Sequence, residues 1–365
     1  MSQDEVKKIP DLLLEARNLS REGKHKEALA VIETAISLDA NSGTAWQRRG
    51  DLLRMTGSYP EALEALDKAI ALDPGIAWAY GSKAAALWAL NKYEDALAAA
   101  DKAIDLDPGY AFAYSVKGDT LRLLDRDEEA VTVLNKAIEL DGQDELAYAN
   151  KGAALWALGR SEEALTALEK AIELDPNYYF SYEVKGAVLN QLGRYSDSLV
   201  ALDKAIALNS KSAFGYLTKG TVLMSLGRYE DALPALDKAI EISPRYARAY
   251  RVKGEALRNL RRYKEALEPL DKAIELAPES AYAHARKGEV LRMQGKYDES
   301  LRSLDTAIQL DPEDAFAYAT RGATLRALGR IEEARAAFDR AIELSPNYSW
   351  AIDQRRELTA ASAVS

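Results

Sequence analysis

Cysteine is absent from the chain. Neither a disulfide frame nor thiolate metal chemistry is open to it. Histidine occurs only at His25 and His284. His25 stands in a slot that is mostly Tyr in related segments and His284 where an aromatic recurs, so both read as packing substitutes. No HExxH, P-loop or nucleophile elbow occurs, and no strand pattern exists for a GxGxxG to follow. Long apolar runs are missing too: the longest, Ala84–Leu90, falls far short of the roughly 20 residues that cross a bilayer. The N-terminal MSQDEVKKIP lacks the apolar stretch of a secretory signal. Positive charge is short, with a net of −10, whereas phosphate binding needs a basic footprint. These absences predict a soluble cytoplasmic protein that is not an enzyme. They predict no cofactor and no metal, and neither nucleic acid nor membrane as partner.

What is present is a period. An Ala-Ile pair returns every 34 residues from Ala35 to Ala341, ten times without an insertion. A second ruler of small residues keeps the same step: Gly50, Ala84, Gly118, Gly152, Gly186, Gly220, Gly254, Gly288 and Gly322. Two independent rulers mean that one supersecondary unit is stacked. Hydrophobic content of 48% can bury a continuous core, and 29% charged residues without Ser/Gly- or Pro-rich runs argue against long disorder.

Each unit carries two helical patterns. In 145–178 the first has Tyr148, Lys151, Gly152, Leu155 and Trp156 at three- and four-residue steps; the second has Ala164, Leu168, Ala171, Ile172 and Leu174. Gly159 separates them where a positive φ is wanted. The same slot holds Gly in seven units, Asn91 and Asp125 in two, and Arg261 in one, which predicts a strained or differently built turn there. Pro176 closes the second helix. Gly152, Ala164 and Ala171 let two backbones approach, and Leu155, Leu168 and Ile172 fill the remaining space. Pro234 and Pro269 fall several residues into second helices, which predicts a bend and a slight change of pitch near 230–270. Residues 349–361 read as one further, solvated capping helix bearing Asp353, Gln354, Arg355, Arg356 and Glu357.

These residues resemble the tetratricopeptide repeat family. Position 4 of the unit is Trp46, Tyr80, Tyr114, Tyr148, Tyr182, Tyr216, Tyr250 and Tyr318; position 11 is Leu from Leu53 to Leu325; position 20 is Ala or Ser. Departures are His284 at position 4, and Ala40, Gly142 and Ser210 where Pro is usual. Position 7, commonly apolar in the family, is Lys or Arg from Arg49 to Arg321; a long stem can pack while its head reaches water. The expected fold is all-α: a right-handed superhelical α-solenoid of ten 34-residue helix-turn-helix repeats at 9–42, 43–76, 77–110, 111–144, 145–178, 179–212, 213–246, 247–280, 281–314 and 315–348. An extension at 1–8, the cap at 349–361 and a tail at 362–365 complete the expected organisation.

The resemblance implies a concave groove lined by first helices and a scaffold or adaptor that holds peptide segments of other proteins. If that geometry applies, positions 2, 5, 9, 12 and 13 face the groove. Position 2 gives Trp78, Phe112, Phe180, Phe214, Arg248, Tyr282 and Phe316; position 12 gives Trp88, Arg122, Trp156, Asn190, Arg258, Arg292 and Arg326. Arg251 at position 5 and Arg286 at position 6 complete the candidate set. Position-2 aromatics have a second reading, as filler of the seam with the preceding repeat. Over the inner positions nine arginines stand against five acids, richest in basic residues over 245–292. The acids Asp51, Asp119, Glu255 and Glu289 stand three residues before Arg54, Arg122, Arg258 and Arg292 and are expected to pair with them. Arg248, Arg251 and Arg286 are taken to lack such an acid and are the expected holders of a carboxylate or phosphate.

The expected ligand is an extended, mixed apolar and acidic peptide. With helices about 10 Å apart and about 3.3 Å per extended residue, one repeat reads roughly three ligand residues. The lysine and asparagine pattern by which relatives grip chaperone C-termini is missing: Asn150 and Arg286 stand alone at position 6, in non-adjacent repeats. The rival expectation is a self-associating structural module, a homo-oligomer through terminal repeats, with Trp350 meeting a second copy.

Overall fold

The computed structural model describes residues 3–362, with side chains from Lys8 to Leu358. Among these residues every regular element is a helix, and the chain divides into two compact units, one ending at Leu192 and one starting at Gly193.

In the first unit the leading helices are α1 (Gln3–Arg21), α3 (Gly43–Met55), α5 (Ala77–Ala89), α7 (Ala111–Leu123), α9 (Glu145–Ala157) and α11 (Tyr179–Gln191). They alternate with α2 (His25–Leu38), α4 (Tyr59–Leu72), α6 (Tyr93–Leu106), α8 (Asp127–Leu140) and α10 (Ser161–Leu174). The second unit runs α12 (Tyr195–Leu208), α13 (Ala213–Ser225), α14 (Tyr229–Ile242), α15 (Ala247–Asn259), α16 (Tyr263–Leu276), α17 (Ala281–Met293), α18 (Tyr297–Leu310), α19 (Ala315–Ala327), α20 (Ile331–Leu344) and α21 (Ser349–Ser362). Helix α1 starts within the expected N-terminal extension, and most of the expected tail lies outside the described residues.

The two rulers explain the packing. The Gly of the first helix faces a large side chain of the second: a Cβ built on Gly152 would lie 2.6 Å from Leu168 Cγ, and one on Gly254 would lie 2.6 Å from Leu270 Cγ. Repeat 77–110 solves the same contact differently. Ala84 replaces the Gly and Ala100 replaces the Leu, and both are fully buried. Each first helix also touches the next: α3 meets α5, α5 meets α7 and α7 meets α9 in the first unit, and α13 meets α15 and α15 meets α17 in the second. Successive first helices therefore form one wall within each unit.

The charged position 7 adds a second seam. Arg49 reaches Glu33 at 2.7 Å, Lys83 reaches Asp67 at 2.6 Å and Lys185 reaches Glu169 at 2.9 Å, each tying a first helix to the preceding second helix. Lys253 to Asp237 at 2.6 Å and Arg321 to Asp305 at 2.7 Å continue the pattern in the second unit. Lys151 is the exception, because the matching residue is Asn135.

Position 4 has a hydrogen-bonding task. Trp46 Nε1 donates to the Ala40 carbonyl at 2.9 Å, and the Tyr182 and Tyr250 hydroxyls donate to Pro176 and Pro244 at 3.3 Å. His284 Nε2 lies 3.1 Å from the Pro278 carbonyl, so the imidazole fills the tyrosine's role.

Of the two expectations for Arg261, strain is met and a different build is not. Its φ of +60° places it in the left-handed region beside Asn91 at +58° and Asp125 at +57°. Its turn closes as the glycine turns do: Arg261 N–H donates to Arg258 at 2.9 Å, as Gly159 N–H does to Trp156 at 3.0 Å. The turn is the common one, held by a residue unsuited to it. Helices α14 and α16 run unbroken through Pro234 and Pro269, with the fourteen residues also found in α10 and α18.

Candidate functional site

None of the candidate residues on the first-helix walls is sealed in the core. Trp78, Arg248 and Tyr282 are exposed, and the remaining aromatic, arginine and asparagine candidates are partly buried. The indoles at position 12, Trp88 and Trp156, are both partly buried. The capping-helix Trp350 is partly buried as well, edge-on to Phe338 with centroids 6.5 Å apart and 6.0 Å from Tyr348.

In the first unit, the aromatics of position 2 are met by arginines. Arg48 lies 5.6 Å from the Trp78 ring, Arg54 5.6 Å from Phe112 and Arg122 5.6 Å from Phe180. Arg54 and Arg122 each also bind the acid three residues before them, Asp51 and Asp119, at 2.8 Å. Both pairs are those the spacing predicts. Burial pushes the Asp119 carboxyl above the usual aspartate range, against the pull of Arg122.

A cavity of about 440 Å³ opens on this wall between α5, α7 and α9. Trp88, Phe112, Val116, Leu146 and Tyr178 supply its apolar lining. The Trp88 Nε1–H is buried there with no hydrogen-bond partner among the described residues. Burial, with Asp119 adding to it, pushes the Tyr178 hydroxyl well above the usual tyrosine range, so it stays a donor at neutral pH.

The charge of this cavity runs against expectation. Its rim holds Asp119, Asp141, Asp144 and Glu145, and its only basic residue is Arg54, already bound to Asp51. The mildly basic inner surface predicted from helix positions therefore fails locally. The reason is that Asp141 and Asp144 lie on the α8–α9 connection and Glu145 opens α9, outside the positions counted. Asp144 is held in place as the cap of α9, accepting from Ala147 N–H at 2.9 Å.

Tyr110 and Tyr178 were also missed, because they occupy the last position of their repeats. Tyr110 stacks on Trp78 with centroids 5.9 Å apart and planes 13° apart. A Cβ on Gly81 would come within 2.5 Å of Tyr110 Cε1, so the small residue at position 5 was the available signal.

The second unit groups Arg248, Arg251, Arg258, Arg286 and Arg292 on α15 and α17. Two expectations are corrected. Arg251 Nη1 binds Glu255 at 2.6 Å, four residues along rather than three, and Arg286 Nη1 binds Glu289 at 3.2 Å. Glu255 and Glu289 do not pair with Arg258 and Arg292 as predicted; Arg258 instead crosses from α15 to Glu289 at 2.9 Å. The neighbouring first helix offers a better-placed carboxylate than the same helix does.

Arg286 also packs 4.1 Å from the Phe316 ring centroid and 4.7 Å from that of Tyr282, which Arg251 shares at 4.7 Å. Arg248 is exposed and has no ion-pair partner among the described residues. Arg292 makes no ion pair there either; burial holds it below the usual arginine value, with Glu289 opposing. Arg326 binds Glu357 of α21 at 2.6 Å. In the first unit, Asn190 keeps its Oδ1 buried and without a hydrogen-bond partner among the described residues.

Among the described residues no group of three or more His, Cys, Asp or Glu is placed to hold a metal ion, and no helix is long and apolar enough to cross a membrane.

Curated proteins give no match. Among solved structures, the Cut9–Hcn1 hetero-tetramer of the APC/C is similar at 14% identity and a TM-score of 0.63, covering 96% of this chain and 90% of that one. PilF of Pseudomonas aeruginosa is similar at 20% identity and a TM-score of 0.53, covering 60% of this chain and all of its own. YrrB, described as a TPR protein with an unusual peptide-binding site, shares 26% identity over 53% of this chain and 99% of its own, with a TM-score of 0.45. The first two likenesses speak to the fold alone. The tetratricopeptide repeat itself matches residues 13–75, 217–281 and 285–349, and further matches to such repeats fall at 79–110, 118–159 and 146–178. This chain belongs to the tetratricopeptide repeat family.

Proposed function

We propose that the protein is a non-catalytic interaction scaffold whose second unit holds an extended, mixed apolar and acidic peptide along α15 and α17. Membership of the repeat family supports the scaffold role. The observation that carries the ligand class is the imbalance on this wall: Arg248, Arg251, Arg258, Arg286 and Arg292 against Glu255 and Glu289. The internal ion pairs keep Arg251, Arg258 and Arg286 oriented, which lowers the entropy lost when a ligand carboxylate arrives. Arg248 and Arg292 are left to take that carboxylate. Tyr282 and Phe316 offer apolar surface beside them.

Fluorescence anisotropy with labelled eight-residue peptides that alternate leucine or phenylalanine with glutamate tests this reading. The glutamate peptides are expected to bind, and their glutamine counterparts to bind about tenfold more weakly. The double substitution Arg248→Ala and Arg292→Ala should weaken glutamate-peptide binding by a similar factor, without moving the melting temperature. Equal binding of glutamate and glutamine peptides would overturn the reading.

A further inference from the structure

The cavity between α5, α7 and α9 has the opposite chemistry to the arginine-rich wall. Asn150 is 6% exposed and lines this cavity, and its side chain makes no hydrogen bond among the described residues. Its side-chain amide is thus a donor and acceptor without a partner in the lining of that cavity. The Trp88 Nε1–H is a second orphan donor in the same lining. Buried polar groups normally find partners, and leaving one without a partner costs stability. Two such groups in one cavity point to a ligand that satisfies them.

Charge selects the class of ligand. Asp141, Asp144 and Glu145 on the rim have no cationic partner among the described residues; the first two accept only backbone N–H groups, of Gln143 and Ala147, at 2.9 Å. Asp119 is the one acid of the lining already matched to an arginine. Trp88 and Tyr178 line the same cavity as these carboxylates; Phe112 lines it too, with Arg54 already 5.6 Å from its ring. Aromatic faces flanked by acids attract an organic cation twice, through the ring quadrupole and through the carboxylates. A volume of about 440 Å³ admits a long side chain together with its own peptide group.

We propose that this cavity is a binding pocket for a basic side chain, arginine or lysine, on a partner polypeptide. The cationic head lies between the rings of Trp88 and Tyr178 and the carboxylates of Asp144 and Glu145. The partner's peptide group takes the hydrogen bonds that Asn150 and the Trp88 indole leave unmade. The pocket belongs wholly to the first unit and prefers the opposite charge to the proposed wall of the second. Failure of one assignment therefore leaves the other standing.

The test is a bead library of eight-residue peptides with randomised flanks and a fixed central arginine, lysine, citrulline or glutamate, probed with the full-length protein. Arginine and lysine pools are expected to retain about tenfold more protein than citrulline or glutamate pools. The double substitution Asp144→Asn and Glu145→Gln keeps a capping side chain at the start of α9 while removing two charges. It should erase the preference for arginine and lysine at an unchanged melting temperature. Trp88→Phe, which keeps an aromatic ring and deletes the indole donor, should weaken capture of the arginine pool several-fold. Equal retention of citrulline and arginine, or a preference that survives the double substitution, would overturn the proposal.

Discussion

The guanidinium of Arg54 lies 5.6 Å from the centre of the Phe112 ring, two repeats further along the chain. Arg122 and Phe180 repeat the relationship at the same distance. Position 12 of one repeat thus meets position 2 of the second repeat after it. The arginine head is held from the other side by its own acid, with Asp51 also accepting from the Ser82 hydroxyl at 3.2 Å. Position-2 aromatics in this unit form part of a polar-aromatic lattice on the first-helix wall.

A double-mutant cycle measures that contact. Arg54→Met and Phe112→Leu each remove one partner while keeping an apolar stem. Their coupling energy is expected at about 0.5–1 kcal/mol, the range for a partly exposed cation and ring. Urea midpoints at matched m-values give it. A coupling near zero would make the approach of the two groups incidental.

The architecture was readable because its causes are local and repeated. Gly152 has no side chain because Leu168 occupies that space, and the same compromise recurs at Gly50, Gly118, Gly220, Gly254 and Gly288. The ion pairs of Arg54 and Arg122 followed from spacing on one helix. What spacing alone missed were pairs chosen across helices: Arg258 prefers Glu289 of α17 to Glu255 of its own helix. Counting charges by helix position also overlooked Asp141 and Asp144, because a connection between helices can fold over the wall without holding any inner position. Tyr110 escaped for the same reason, although Gly81 had left room for it.

Size complementarity between the rulers yields a second prediction. Gly152→Ala places a methyl group against a fully buried leucine and should destabilise the protein by about 1–3 kcal/mol. Adding Leu168→Ala recreates the pairing of Ala84 with Ala100. The double variant should then be more stable than the sum of the two single losses implies. Chemical denaturation of the three variants measures this; strict additivity would show that the pairing is not what fixes the residues' sizes.

Arg261 holds a turn whose φ of +60° suits glycine. Arg261→Gly should stabilise the protein by about 0.5–1 kcal/mol, the left-handed strain relieved less the added freedom of the unfolded chain. Asn91→Gly should gain less, since asparagine tolerates this region. Melting temperatures of the two variants rank the effects, and a larger gain at Asn91 would contradict the argument.

The missing rung at Lys151 makes a prediction with a pH signature. Burial lowers the pKa of this ammonium, with Glu163 opposing, and Asn135 stands where neighbouring repeats place an acid. A lysine whose folded value is lowered costs stability fully below that value, where both states are protonated. The cost fades as pH rises through the lowered value towards the unfolded value of about 10.4. Asn135→Asp supplies the partner that Asp101 gives Lys117. It should add about 0.5 kcal/mol near pH 7.5, the modest worth of a partly exposed pair. Urea midpoints of both proteins at pH 7.5 and 10.5 check the sign: the advantage of the variant should shrink at the higher pH as the ammonium is lost. An advantage that is absent at pH 7.5, or that grows towards pH 10.5, would mean that Lys151 is not short of a partner.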